Sequence, residues 1–146
     1  GHPHEIIPDR IEAGTYLIMA VAMGDDVTIK NIIPQHIESL ISKLIEMGAD
    51  IEVGVDYARV RTSKNLQAID ITTQTYPGFA TDLQQPLTSL LTQAHGVSTI
   101  KETIYRERFK HCEELQRMGA DIQVVPSQAI IHGPKNLFAS KVEATD

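Results

Sequence analysis

The ten residues Leu44–Val53, LIEMGADIEV, return as Leu115–Val124, LQRMGADIQV. Gly119 lies 71 residues after Gly48, and the same interval carries Thr28-Ile29-Lys30 onto Thr99-Ile100-Lys101. It also carries Lys64-Asn65-Leu66 onto Lys135-Asn136-Leu137. Three separated segments in one register indicate an internal duplication. Whatever one copy folds into, the chain must form twice. The period is longer than the roughly 20–50 residues of solenoid repeats, so each copy is expected to be a small α/β subdomain rather than one layer of a stack.

The two copies read alike. Each opens on an extended apolar segment, Glu5–Ile7 or Leu66–Thr73, and continues into a helix, Glu12–Met23 or Leu83–His95. A strand follows, Val27–Ile32 or Val97–Thr103, and then a second helix. In the first copy, Ile37, Leu40, Ile41 and Leu44 lie on one face of that second helix. Gly48 and Gly119 are positioned to end these helices in the left-handed conformation. Short strands close each copy: Asp50–Val53 with Tyr57–Arg61, and Asp121–Val125 with Ala129–His132. The expected order is βαβαββ, which gives units at 5–65 and 66–135. Residues 136–146 reopen the pattern: with Lys135 they read KNLFASKVEATD, which resembles KNLQAIDITT and ends on the ATD of Ala80-Thr81-Asp82. A third unit is expected to begin there, so the chain reads as a segment of a longer protein, with Gly1-His2 a remnant of tag removal.

Composition narrows the function classes. A net charge of −6 over 146 residues disfavours binding to nucleic acid or an anionic membrane. No apolar run is long enough to cross a bilayer. One cysteine allows no internal disulfide and suits a reducing cytoplasm. His36, His95, His111 and His132 lack the spacing of a metal site, and His2 with His4 offers at most a copper-binding start.

Four stretches, in order and correctly separated, carry a specific resemblance: IIPDRIEAGTYLIMAVAMGDDVTIKN, HIESLISKLIEMGADIEV, TYPGFATDLQQPLTSLLTQAHG and ETIYRERF with ELQRMGADI. Together they resemble the UDP-N-acetylglucosamine enolpyruvyl transferases. The resemblance implies an α/β (α+β) inside-out barrel whose domains each hold three βαβαββ units, about two of them present here. It implies transfer of enolpyruvyl from phosphoenolpyruvate to the 3-hydroxyl of UDP-N-acetylglucosamine, with no metal or organic cofactor. In this family Asp82 would contact the 3-hydroxyl as base, and the Ile104 backbone would touch the amino sugar. Arg108 and Asp146 would line the substrate cleft. The family's cysteine loop, amino-terminal lysine–asparagine pair and late arginine have no counterpart in these residues. The missing second domain is therefore an implied partner, and the chain alone is expected to be inactive. A shikimate 3-phosphate enolpyruvyl transferase, or a non-catalytic binding module on the same duplicated fold, are the rival readings.

Several of these residues also have purely structural readings. Asp82-Leu-Gln-Gln85 has capping-box spacing, with Pro86 in the first helical turn. Arg108 falls on Ile37 of the first copy, and a cation near a helix start opposes the helix dipole. Either a bound anion or neighbouring carboxylate compensates it, or it belongs to a solvated basic turn with Arg106 and Lys110. Cys112 falls on Ile41, which predicts core packing rather than reactivity. Asp9 and Arg10 read either as a local ion pair or as groups facing another domain.

Overall fold

The computed structural model describes residues 9–61, 65–104, 109–135 and 137. Helix α1 (Arg10–Met23) starts where the Asp9 side chain accepts the Glu12 amide at 2.8 Å. Its inward face is Ala13, Gly14, Leu17, Ile18, Ala20 and Val21, the three-and-four spacing of a helix that buries one side. Gly24, at φ +72°, ends it. Strand β1 (Val27–Lys30), helix α2 (Glu38–Glu46) and strands β2 (Ile51–Val53) and β3 (Tyr57–Val60) follow. The second half runs through β4 (Asp70–Thr72), α3 (Gln84–Leu91), β5 (Gly96–Lys101), α4 (His111–Arg117), β6 (Asp121–Val125) and β7 (Gln128–Gly133). From β4 onward the observed order is βαβαββ, and the chain has an α/β fold.

The strands form two sheets, ordered β1-β3-β2 and β4-β5-β7-β6. All pairings are antiparallel except β4 with β5. Displacing β1, β3 and β2 by the sequence interval gives β5, β7 and β6 in the same spatial order. In the first sheet Ala58 and Val60 of the central strand are fully buried, as are Ala129 and Ile131 at the matching positions of the second. The segment Glu5–Ile7, expected to supply the first sheet's leading strand, lies outside the described residues, as do His2 and His4.

The helices of both halves enclose one core. Leu17, Leu40, Leu44, Met47, Leu87, Leu91, Ile100 and Ile131 are each under 2% exposed. Burying side chains of this size stabilises a fold by roughly 1.5–3 kcal/mol apiece. Cys112, also fully buried, takes the core place expected for it. Where Glu102 stands in the second half, the first half has exposed Asn31 at φ +60°.

Two local expectations change. The helix expected over Leu83–His95 ends at Leu91. Beyond it the Lys135 amide donates to the Thr92 carbonyl at 3.0 Å, and the Gln93 side chain donates to the Lys135 carbonyl at 2.9 Å. Groups from beyond β7 thus satisfy the helix end, and no further turn is needed. A Cβ on Gly133 would sit 2.4 Å from the Ala94 carbonyl oxygen, which shows how closely β7 approaches that end. The second change concerns Asp9 and Arg10. Asp9 caps α1, and Arg10 lies over the Tyr76 ring, 4.6 Å from its centroid, so the expected local ion pair gives way to a cap and a cation–π contact.

Candidate functional site

Between β4 and α3 the chain makes a tight turn that carries Asp82. The Gly78 amide donates to the Thr75 carbonyl at 2.9 Å, and Gln74 donates to Phe79 at 2.8 Å. A Cβ on Gly78 would fall 2.5 Å from the Gln74 Cβ, so the turn admits only glycine there. Phe79 and Leu83 point inward, each 3% exposed, and pin the two ends of the segment. Leu83 reaches α1 at Gly14, where an added Cβ would lie 2.8 Å from the leucine Cδ1. Tyr76 is held from the first half of the chain, by the Arg10 guanidinium on its face and the His36 ring at its edge, 6.4 Å between centroids.

Asp82 sits within a 3-10 turn, Thr81–Leu83, and is exposed. Asp82 does not occupy the N-cap position that a capping box requires. Ala80 caps the 3-10 turn and Leu83 caps α3, and neither position makes a side-chain cap hydrogen bond. A 3-10 start shifts the helix boundary two residues past the aspartate. The carboxylate therefore belongs to the turn, near the carboxyl ends of parallel strands β4 and β5, a usual location for ligand sites in α/β proteins.

Beside this turn lies a carboxylate that the sequence reading did not single out. Glu102, one residue past β5, is 2% exposed. Its Oε1 accepts the Thr73 hydroxyl at 2.7 Å and the Ile104 amide at 3.1 Å, while Oε2 accepts the Thr81 hydroxyl at 2.9 Å. Thr73 Oγ1 in turn accepts the Thr103 amide at 2.9 Å, and the Thr103 hydroxyl donates to the Thr73 carbonyl. Asp82 and Ile104, two of the four expected site residues, thus flank one buried network. Ile104 is 37% exposed, so the residue stands at the surface beside the turn. Arg108 and Asp146 lie outside the described residues.

A sequence signal for Glu102 exists. Ser98, Ile100 and Glu102 alternate with period two, and all three are buried, so extending the inward face of β5 by one step reaches the glutamate. The Arg10–Tyr76–His36 contact has no such signal, because its members come from three segments joined only by tertiary packing.

Two hollows adjoin this region. A crevice of about 10 Å³ among Arg10, His36, Tyr76, Phe79 and Leu83 is closed by the packing just described. A groove of about 520 Å³ runs between α1 and α3, lined by residues that include Ile18, Met19, Val21, Leu66, Leu90 and His95. No helix among the described residues is long and apolar enough to cross a membrane.

A family model described as EPSP synthase (3-phosphoshikimate 1-carboxyvinyltransferase) matches residues 1–146. UDP-N-acetylglucosamine 1-carboxyvinyltransferase 2 of Bacillus cereus is 52% identical over 146 residues, all of this chain and 34% of that protein. Its namesakes from Geobacillus kaustophilus and Bacillus subtilis are 53% and 54% identical, again across the whole chain and 34% of each relative. The chain therefore spans about a third of the length of these relatives. Among solved structures, the enolpyruvyl transferase NikO from Streptomyces tendae superposes with a TM-score of 0.72 at 25% identity, covering 88% of this chain and 31% of that one. EPSP synthase from Acinetobacter baumannii superposes at 0.64 with 17% identity, over 86% of this chain and 30% of its own, and so shares the fold. The chain belongs to the EPSP synthase family, and its sequence stands beside the UDP-N-acetylglucosamine 1-carboxyvinyltransferases.

Proposed function

We propose that this chain is the sugar-facing part of an enzyme that transfers enolpyruvyl from phosphoenolpyruvate to the 3-hydroxyl of UDP-N-acetylglucosamine. Identity above 50% over the whole chain, to relatives named UDP-N-acetylglucosamine 1-carboxyvinyltransferase, carries the reading. The exposed Asp82 turn supports it. On this reading the sugar oxygen adds to C2 of phosphoenolpyruvate while a proton goes to C3, and Asp82 takes the hydroxyl proton. Loss of phosphate from the tetrahedral adduct, with loss of a methyl proton, restores the vinyl group. The Ile104 backbone contacts the amino sugar, and Arg108 and Asp146 line the same cleft. The proton donor for C3 belongs to the part of the enzyme beyond these residues. No metal or organic cofactor takes part.

We divide the chain into units at 5–65 and 66–135, with 136–146 opening a third. That third unit, on this reading, covers the apolar groove between α1 and α3, where Met19 is more than half exposed. We assign the reaction to the cytoplasm, as the first committed step of peptidoglycan synthesis. The test is Asp82→Asn in a family-length protein carrying this segment. Phosphate release should fall by about 100-fold or more, at or above the lower end of the range for a general base, with circular dichroism unchanged. Turnover within twofold of the parent would remove Asp82 from the chemistry.

A further inference from the structure

We infer that Glu102 is a positioning residue, whose buried carboxylate ties the turn bearing Asp82 to the backbone of Ile104. The inference rests on the proposed transferase reading for what the tie positions, though not for the tie itself. A carboxylate only accepts hydrogen bonds, and among the described residues three donors converge on its two oxygens: Thr73 Oγ1 and the Ile104 amide on one, Thr81 Oγ1 on the other. The donors come from three places in the chain. Thr73 follows β4, Thr81 immediately precedes Asp82, and Ile104 lies beyond β5. Removing the acceptor takes a partner from two hydroxyls and a backbone amide at once, and burying a charge is costly unless such partners are present.

The duplication supplies an internal comparison. The residue 71 positions before Glu102 is Asn31, which is exposed and has φ +60°. The first sheet forms around β3 with no buried carboxylate at that point. The sheet architecture therefore does not demand a glutamate here. What distinguishes the second half is that its β4–α3 turn carries Asp82, where the first half has Ile11, and that Glu102 bridges this turn to the Ile104 backbone. The Glu102 bond to the residue before Asp82 fixes where that turn stands against the exit of β5.

Thr81→Val removes the bond to Oε2 while keeping the side-chain volume, and Thr81→Ser restores the hydroxyl. Both are to be made in a family-length protein carrying this segment. Titration calorimetry with UDP-N-acetylglucosamine counts competent sites, and phosphate release gives turnover per site. Thr81→Val should keep the binding stoichiometry and lose about ten- to a hundredfold in turnover per site, the scale set by small misplacements of a reacting group. Thr81→Ser should recover to within about threefold of the parent, the hydroxyl alone being what positions the turn. A loss explained by fewer binding sites, turnover unaffected by Thr81→Val, or no recovery with Thr81→Ser would overturn the inference. Hydrogen exchange of residues 78–83 reads the tie without chemistry: it should quicken in Thr81→Val and return in Thr81→Ser, and unchanged exchange would overturn the inference. If the parent releases no phosphate while exchange responds in this way, the transferase reading fails and the tie stands.

Discussion

Cys112 stands where the first copy has Ile41, and both side chains are in the core. Burial pushes the Cys112 thiol up to about 11, since a thiolate there would lose its hydration. Thiolate is the reactive form, so the folded protein should label at least about a hundredfold more slowly at pH 8 than the protein unfolded in guanidinium. A dithionitrobenzoate time course in both states measures this. Asp82 and Glu102 make the opposite pair. Asp82 is legible as a special position, but cap spacing does not reveal that a 3-10 turn moves the helix start to Gln84. Glu102 was legible as an inward position from the β5 alternation, yet a charge at such a place is expected to face solvent until its partners are known. Those partners lie at residues 73, 81 and 104, and only folding assembles them.

Helix ends show how closely the two copies agree as elements. Gly48 and Gly119 have φ of +105° and +104°. Around them the bonding repeats: the Ala49 amide donates to Leu44 at 3.0 Å and the Ala120 amide to Leu115 at 2.9 Å. Gly48 donates to Ile45 at 2.9 Å and Gly119 to Gln116 at 3.0 Å, completing the same Schellman closure in each copy. An added Cβ at Gly48 would meet nothing within 4 Å, so the conformation rather than crowding requires glycine. Gly48→Ala should therefore cost about 1–2 kcal/mol, read as a lowered urea midpoint with an unchanged slope. Gly119→Ala should cost a similar amount, because the backbone is the same. The repeat pattern anticipates the four α-helices of the described residues in their order. It overran the end of α3 by four residues, because Thr92–His95 is shaped by a chain segment more than 40 residues away.

For the molecule as a whole, the chain covers about a third of its relatives' length. The 146-residue chain alone should release no phosphate from phosphoenolpyruvate and UDP-N-acetylglucosamine above background, and a coupled phosphate assay at high protein concentration checks this. Sequence alone established the duplication, the α/β class and the motif that holds Asp82. These are written in local order: residue spacing, apolar period and turn glycines act between near neighbours, and a shared register survives in the string itself. Tertiary structure decided that Asp82 lies in an exposed turn, that Arg10 and His36 brace that turn through Tyr76, and that Glu102 joins it to Ile104. Each of these depends on side chains from distant segments meeting at hydrogen-bond or ring-contact range, and the packing of one half of the chain on the other sets that range.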